Sequence, residues 1–236
     1  MPYRRRIDTR GTTTDSGCAA HAVAQSQAQG RPALSGLRHR LSILPPILNQ
    51  GRITPLLLSS LCFLILLLPD SWQQVLRYEN TAIGNGQLWR LITAHLVHLG
   101  WPHLLLNLLA FWLILELFFL PDIRLRLLLL TLGTSLGLLL FSPDVGWYAG
   151  FSGALHGLLA LALLDRALTS PQSSVIMLVL LAGKLLWEQL QGPLPGSVSL
   201  TQGSVIVDAH LYGAISGAVI WGLERVALQF TNEDPE

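Results

Sequence analysis

Polar and ionisable side chains occur near the beginnings of three long apolar segments of this chain. They are His95, His98, His103 and Asn107 in one segment, Ser152 and His156 in a second, and Asp208 and His210 in a third. An ionisable side chain inside a membrane helix costs about 2.5–3.5 kcal/mol on insertion scales, so its presence normally indicates a function. A serine hydroxyl becomes a nucleophile when a neutral histidine lies within hydrogen-bond reach. The residue types therefore indicate nucleophilic catalysis, provided that the three segment starts meet.

Glycines surround the serine and recur in the segment that carries His210. The second segment begins Gly-Phe-Ser-Gly-Ala-Leu-His-Gly at residues 150–157, and the third contains Gly213 and Gly217. Small residues four positions apart let two membrane helices approach closely. We therefore expect these two helices to pack tightly enough for Ser152 to meet His210.

His103 and Asn107 have side chains suited to stabilising a negatively charged oxygen. They are four residues apart, so they share one face of a helix. Hydrogen-bond donors placed beside an attacked carbonyl stabilise the oxyanion of a tetrahedral intermediate. We expect both side chains to lie beside Ser152.

The composition is that of a membrane protein. Of 236 residues, 51% are hydrophobic and only 12% are charged, against about 25% charged in soluble domains. Eight of the fifteen basic residues lie in the first 52 positions, in a polar tail without a folded basic surface, so no nucleic-acid partner is expected. Cys18 and Cys62 are predicted to be free thiols.

The apolar pattern predicts six membrane spans and hence an all-α membrane protein. A bilayer core takes about 20 helical residues, or about 17 for a short span. The predicted spans are 54–69, 98–120, 123–142, 152–168, 174–191 and 205–225. The predicted organisation is a disordered cytoplasmic tail at 1–52 that is not a cleaved signal peptide, a membrane domain at 53–228, and a short acidic tail at 229–236.

Arginine placement predicts the orientation. If the spans alternate, one side receives Arg38, Arg40, Arg52, Arg124, Arg126, Arg166 and Arg225. Basic residues in short loops mark the cytoplasmic side, so both termini are expected to be cytoplasmic and Ser152 to face the outer side. The loop 70–97, with Trp72 and Trp89, is expected to lie in the outer interface as an amphipathic element.

In these residues the sequence resembles the rhomboid family of intramembrane serine proteases. The matching elements are Trp89-Arg90, His98, residues 103–107, residues 150–153 with Gly157, and residues 209–213 with Gly217. The resemblance covers about residues 54–228 and implies a six-transmembrane-helix rhomboid-like bundle. It implies a Ser-His dyad without a carboxylate, with Ser152 as nucleophile and His210 as general base. The implied oxyanion hole is the Ser152 backbone N–H with His103 and Asn107, and no cofactor or metal is implied.

Within that family the chain is most similar to the rhombosortase branch. The similarity rests on His156, on the Asp208-Ala209-His210 sequence, and on the small six-span frame. It implies a bacterial inner-membrane enzyme of protein sorting that acts on single-span exported proteins within the bilayer. Such substrates end in a Gly-Gly motif, an apolar helix and a basic cluster, and the cut falls near the Gly-Gly.

Other polar residues have both structural and functional interpretations. His98 and His156 are either packed side chains or supports for the dyad, and the flanking Gly150 and Gly153 are assigned to supporting the site. His95 is expected to be an interfacial side chain with one nitrogen in water. The role of Glu116 in the second span stays open.

Three acidic or basic residues near the predicted site also allow two interpretations. Asp208 is expected to cap the last span by accepting backbone N–H bonds, in preference to completing a triad. Lys184 and Glu188 are i, i+4 neighbours that neutralise each other. The alternative is that they form a substrate gate.

Parts of the sequence are also compatible with two other classes of function. One is an inactive rhomboid-like protein that binds transmembrane helices, although such a protein would typically have lost the serine or the histidine. The other is a zinc site built from five histidines. The chain lacks the His-Glu-x-x-His spacing of membrane metalloproteases.

Overall fold

The structure is a computed structural model that describes residues 50–118, 120–201 and 203–232. Within these ranges the long helices are α1 (Gln50–Leu66), α5 (Trp101–Leu117), α6 (Ile123–Phe141), α7 (Ser152–Ala167), α8 (Pro171–Gln191) and α10 (Val207–Asn232). The short elements are α2 (Asp70–Leu76), β1 (Tyr78–Glu79), α3 (Asn80–Gly84), α4 (Arg90–Thr93) with a 3₁₀ turn at Ala94–Leu96, β2 (Trp147–Tyr148) and α9 (Ser197–Thr201). Most of the predicted N-terminal tail, including Cys18, lies outside the described residues. Cys62 is a free, buried thiol.

The six long helices coincide with the six predicted apolar segments, but they differ in their capacity to cross a membrane. Among the described residues, α6, α8 and most of α10 are long and apolar enough to span alone. The segment Arg90–Leu96 and α5 form a fourth candidate that is bent by 97°. The apolar part of α1 is shorter, and α7 has 16 residues. The structure thus supports a multi-pass helical protein, and a count of six spans stays a prediction.

Helix α7 lies at the centre of the bundle. From Gly157 to Leu164 its residues are apolar around the whole circumference, which is typical of a helix enclosed by others. Leu155, Leu158 and Leu161 are buried against Phe111 of α5 and Ile220 of α10. Because α7 is enclosed by protein, it needs no long lipid-facing surface of its own.

Glycines form the contact between α7 and α10. A Cβ atom on Gly213 would collide with the backbone carbonyl of Gly153, and one on Gly217 would collide with that of Gly157. A Cβ atom on Gly157 would in turn meet the carbonyl of Gly213. The close approach predicted from the glycine spacing is therefore confirmed.

Arginines bind at the ends of the helices that are remote from Ser152. The contacts are Arg52 to Glu116 at 2.9 Å, Arg124 to Thr54 at 2.8 Å, Arg126 to Glu224 at 2.7 Å, Arg166 to the Leu117 carbonyl at 3.2 Å, and Arg225 to Asp165. They join the start of α1 and α6 to the ends of α5, α7 and α10. Glu116, whose role the sequence leaves open, is an ion-pair partner in this group.

The segment before α5 combines exposed and buried parts. Trp72 is 64% exposed and Trp89 is 48% exposed, as an interfacial element requires. Tyr78, in contrast, is fully buried in β1, where it lies opposite Tyr148 of β2 in an antiparallel pair. This pairing fixes the strand that leads directly into Ser152.

Candidate active site

Ser152 and His210 form a hydrogen bond between two different helices. The Oγ atom of Ser152 lies 3.0 Å from Nε2 of His210. Ser152 is the first residue of α7, and His210 stands in the first turn of α10. Because the glycine contact lets the two backbones touch, these side chains meet across 58 residues of sequence. The structure thus brings together the pair predicted from the sequence.

The turn before Ser152 requires glycine at position 150. Gly150 has a φ angle of 130°, a conformation that residues with a Cβ atom rarely adopt. A Cβ atom there would also lie 2.6 Å from the His103 ring. The hydroxyl of Tyr148 donates a hydrogen bond to the Gly150 carbonyl at 2.5 Å, and the Gly150 N–H donates to the Ala94 carbonyl at 3.0 Å. These contacts hold the turn and aim Ser152 at His210.

Three hydrogen-bond donors belong to residues that line one cavity together: His103, Asn107 and Ser152. The Nδ1 atom of His103 accepts the backbone N–H of Leu99 at 3.4 Å, so its proton sits on Nε2, which is then a donor. The buried Nδ2 atom of Asn107 has no hydrogen-bond partner in the part of the chain that the structure describes. The backbone N–H of Ser152 belongs to the first turn of α7, where N–H groups lack intrahelical partners.

A cavity of about 190 Å³ opens onto these groups. It is lined by His103, Asn107, Ser152 and His210 and is bordered by residues of α9 and by 204–206. The volume has room for several water molecules or a small side chain. The donors therefore face a space that a carbonyl group can enter.

His156 lies against the face of His210. The two rings stack with centroids 4.2 Å apart and an angle of 21° between their planes. Its Nδ1 atom is 2.7 Å from the Ser152 carbonyl oxygen, and its Nε2 atom is 2.6 Å from Nζ of Lys184. Both ring nitrogens are thus engaged away from the Ser152 hydroxyl. His156 is both packed and in direct contact with the predicted base.

Lys184 and Glu188 form the predicted ion pair, but the pair also reaches His210. The Lys184 Nζ atom lies 2.6 Å from Oε2 of Glu188. The same carboxylate oxygen lies 2.9 Å from Nδ1 of His210. Sequence reasoning missed this contact, since the resemblance implies no carboxylate beside the histidine. The sequence signal that could have indicated this contact is Glu188 itself, a single carboxylate near the outer end of an apolar helix.

Asp208 does not cap α10, so that expectation is wrong. It is the second residue of the helix, inside its first turn. Its Oδ2 atom accepts a hydrogen bond from the Ser142 hydroxyl at 2.5 Å, and Ser142 also contacts the hydroxyl of Tyr212 at 2.9 Å. Asp208 therefore joins the end of α6 to the start of α10.

The two histidines before α5 are both buried. His98 Nδ1 lies 3.1 Å from the Leu96 carbonyl, and the His98 ring meets the edge of His103 with centroids 5.1 Å apart. His95 is fully buried, with its Nε2 atom 3.0 Å from Oγ of Ser135. The expectation of a water-exposed His95 is therefore wrong. Both side chains pack the segment that precedes His103.

A zinc site of five histidines is not assembled in the described ranges. No group of three or more His, Cys, Asp or Glu side chains there has an arrangement that could hold a metal ion. The ring nitrogens described above contact a backbone N–H, backbone carbonyls, hydroxyls, a carboxylate and a lysine.

A multi-pass helical bundle with a hydrogen-bonded serine and histidine at one end describes a class that includes membrane-embedded hydrolases. The Rhomboid domain profile matches residues 85–225, more than half of the chain. The chain therefore belongs to the rhomboid family, whose proteases are intramembrane serine enzymes. It is also similar to a protein of Bacillus subtilis (strain 168) named "Putative rhomboid protease YdcA". The two are 28% identical over 162 residues, which cover 63% of this chain and 73% of that relative.

Proposed function

We propose that this protein is an intramembrane serine endopeptidase with Ser152 as nucleophile and His210 as general base. The observation that carries the proposal is the 3.0 Å contact between Ser152 Oγ and His210 Nε2. This contact lies at a cavity that the buried Asn107 side chain also lines. Membership of the rhomboid family supports the same assignment. The oxyanion donors are the Ser152 backbone N–H, His103 and Asn107.

The proposed reaction proceeds by acyl transfer. His210 Nε2 removes the Ser152 hydroxyl proton while Oγ forms a bond to the scissile carbonyl carbon. The carbonyl oxygen becomes an oxyanion that the three donors stabilise. His210 then gives the proton to the leaving amine as the peptide bond breaks. Water attacks the acyl-enzyme, again with His210 as base, and releases the carboxylate and free Ser152.

The proposed position of the site is near the outer leaflet of a bacterial inner membrane. The arginine contacts lie at the opposite end of the bundle from Ser152, and basic residues mark the cytoplasmic side. Both termini are then cytoplasmic, and single-span proteins in the same bilayer are the substrates. Gly150 and Gly153 support the site through the turn and the helix contact.

Replacing either member of the dyad tests the proposal. We expect Ser152→Ala and His210→Ala each to abolish cleavage of a single-span reporter in proteoliposomes, and the double variant to be no worse, because the two residues act as one unit. Ser216→Ala on α10, whose hydroxyl binds the Tyr212 carbonyl, is the matched control and should cleave normally. An inactive helix-binding relative would instead bind the reporter and show no cleavage that depends on Ser152.

We further propose that the substrates are of the rhombosortase type, with a Gly-Gly at the outer end of the span. The support is the likeness in His156 and Asp208-Ala209-His210, together with a physical argument. A helix must unwind before its carbonyl reaches Ser152, and glycine lowers helix stability by about 1 kcal/mol relative to alanine. A basic cluster on the cytoplasmic side would hold the substrate in register.

The substrate itself provides the test of this finer proposal. Replacing the Gly-Gly of a co-resident exported protein by Ala-Ala or Leu-Leu should block its release. A change of two residues near the middle of the same span is the control and should have no effect. Normal release of the Gly-Gly variant, still dependent on Ser152, would reject the substrate class and leave the protease assignment intact.

A further inference from the structure

A buried carboxylate and a lysine lie behind the histidine of the proposed dyad. The side chain of Glu188 is 2% exposed, and its Oε2 atom is 2.9 Å from His210 Nδ1. The same oxygen is 2.6 Å from Nζ of Lys184. Lys184 in turn contacts His156 at 2.6 Å. Ionised groups at such depth are retained where they are paired, and here the pairing includes the proposed base.

One protonation pattern of the hydrogen bonds around His210 leaves its Nε2 atom free to accept the Ser152 proton. If His210 is to accept the Ser152 proton at Nε2, its own proton must sit on Nδ1. That proton points to Glu188 Oε2, which is an acceptor. Lys184 donates one hydrogen bond to the same carboxylate and one to His156 Nε2. The Nδ1–H group of His156 then donates a hydrogen bond to the Ser152 carbonyl oxygen, at 2.7 Å.

Lys184 competes for the same nitrogen of His210. Its Nζ atom lies 3.0 Å from His210 Nδ1, but an ammonium group is a donor only. If it bound Nδ1, the histidine proton would move to Nε2, and His210 could no longer accept the proton of Ser152. A hydrogen bond from Nδ1–H to Glu188 leaves Nε2 unprotonated, so Lys184 and Glu188 favour opposite tautomers of His210.

We infer that Glu188 is the positioning residue of a Ser152–His210–Glu188 triad, and that Lys184 holds its carboxylate in place. This inference rests on the proposed protease function and replaces its dyad by a triad. During attack the Ser152 proton moves to Nε2, the imidazole becomes a cation, and Glu188 stays ionised and stabilises that cation. The carboxylate comes from α8, and not from Asp208, which stands two residues before the histidine.

The rate at which a fluorophosphonate labels Ser152 reports how effectively His210 acts as the base. The assay needs no natural substrate. The Ser152 oxygen attacks phosphorus, fluoride leaves, and the serine proton passes to His210. The limiting rate kinact and the inhibitor constant KI are measured in detergent for the wild type, Glu188→Gln and Glu188→Asp. We expect Glu188→Gln to lower kinact by about 10²–10⁴-fold with KI unchanged. Glu188→Asp, which keeps the charge and alters the length, should retain more activity than Glu188→Gln.

A double variant separates positioning from simple neutralisation of Lys184. Lys184→Met with Glu188→Gln removes both charges, a replacement that buried ion pairs often tolerate. If Glu188 positions His210, kinact stays as low as in Glu188→Gln. Recovery of the wild-type kinact would overturn the inference. Glu224→Gln, which breaks the ion pair with Arg126 at the other end of the bundle, is the matched control and should react normally.

The unmutated protein gives an independent measurement if a variant fails to fold. The ¹⁵N shifts of His210, assigned by the loss of its signals in His210→Ala, should show a protonated Nδ1 and an unprotonated Nε2. A proton on Nε2 would overturn the inference. If Ser152 of the wild type is not labelled, the proposed function fails together with the triad. Labelling that depends on Ser152 with a normal kinact in Glu188→Gln rejects the triad alone.

Discussion

Gly213 of α10 leaves no room for a side chain, and replacing it by alanine tests whether the helix contact sets the geometry of the site. A Cβ atom there would collide with the Gly153 carbonyl, the residue next to Ser152. The colliding atom belongs to backbone, so no side-chain rotation can relieve the overlap. The two helices must separate, and His210, three residues before Gly213, must move away from Ser152.

The size of the effect follows from two opposing contributions. Overpacking of a tight contact lowers the free energy of unfolding by about 1–3 kcal/mol, whereas alanine favours a helix over glycine by about 1 kcal/mol. A loss of 1 kcal/mol lowers Tm by about 2–4 °C in a domain of this size. The catalytic effect is larger, because a displacement of about 1 Å at the reacting groups costs about 10²-fold in rate.

The assay compares Gly213→Ala with Gly222→Ala on the same helix. A Cβ atom at position 222 would meet no atom of the described residues within 4 Å. We therefore expect Gly222→Ala to keep the wild-type kcat and an equal or higher Tm, and Gly213→Ala to lose about 10²-fold in kcat with a lower Tm. Equal behaviour of the two variants would refute the argument that the glycine contact positions the dyad.

Two further predictions concern the surroundings of Ser152. Asn107→Ala and His103→Ala should each lower kcat by about 10²–10³-fold with little change in KM, whereas Asn80→Ala, at the first residue of α3, should not. An unchanged kcat in Asn107→Ala or His103→Ala would show that the replaced residue is not part of the oxyanion hole. Tyr148→Phe should lower the free energy of unfolding by about 1–3 kcal/mol, because the buried Gly150 carbonyl loses its donor. A wild-type Tm would show that the turn does not depend on this bond.

The elements that position the site were largely predictable. The apolar segments coincide with long helices, because the length of an apolar run between Pro, Gly and charged residues limits where a helix can lie. The meeting of Ser152 with His210 followed from the glycines that let their helices touch. The gathering of arginine contacts at the end remote from Ser152 followed from alternation of the spans.

Other features depended on contacts that no local pattern records. The expected cap at Asp208 failed because the helix begins one residue earlier, at Val207, and the carboxylate instead accepts a hydrogen bond from Ser142, 66 residues away. The expected water-exposed His95 is instead covered and bonded to Ser135 of α6. In both cases a partner from a distant helix replaced the water or backbone group that the local sequence suggested.

From the residue pattern alone it was clear which side chains were too costly to be incidental in an apolar helix, and which two helices could approach at van der Waals distance. The contact of Glu188 with His210, across 22 residues, is visible only in the folded chain. The i, i+4 spacing of Glu188 to Lys184 is a property of one helix and is visible in the sequence. Its contact with His210 depends on the rotation and depth of α8 against α10. Those are set by the packing of the whole bundle, so the hydrophobic pattern of a single helix does not encode them.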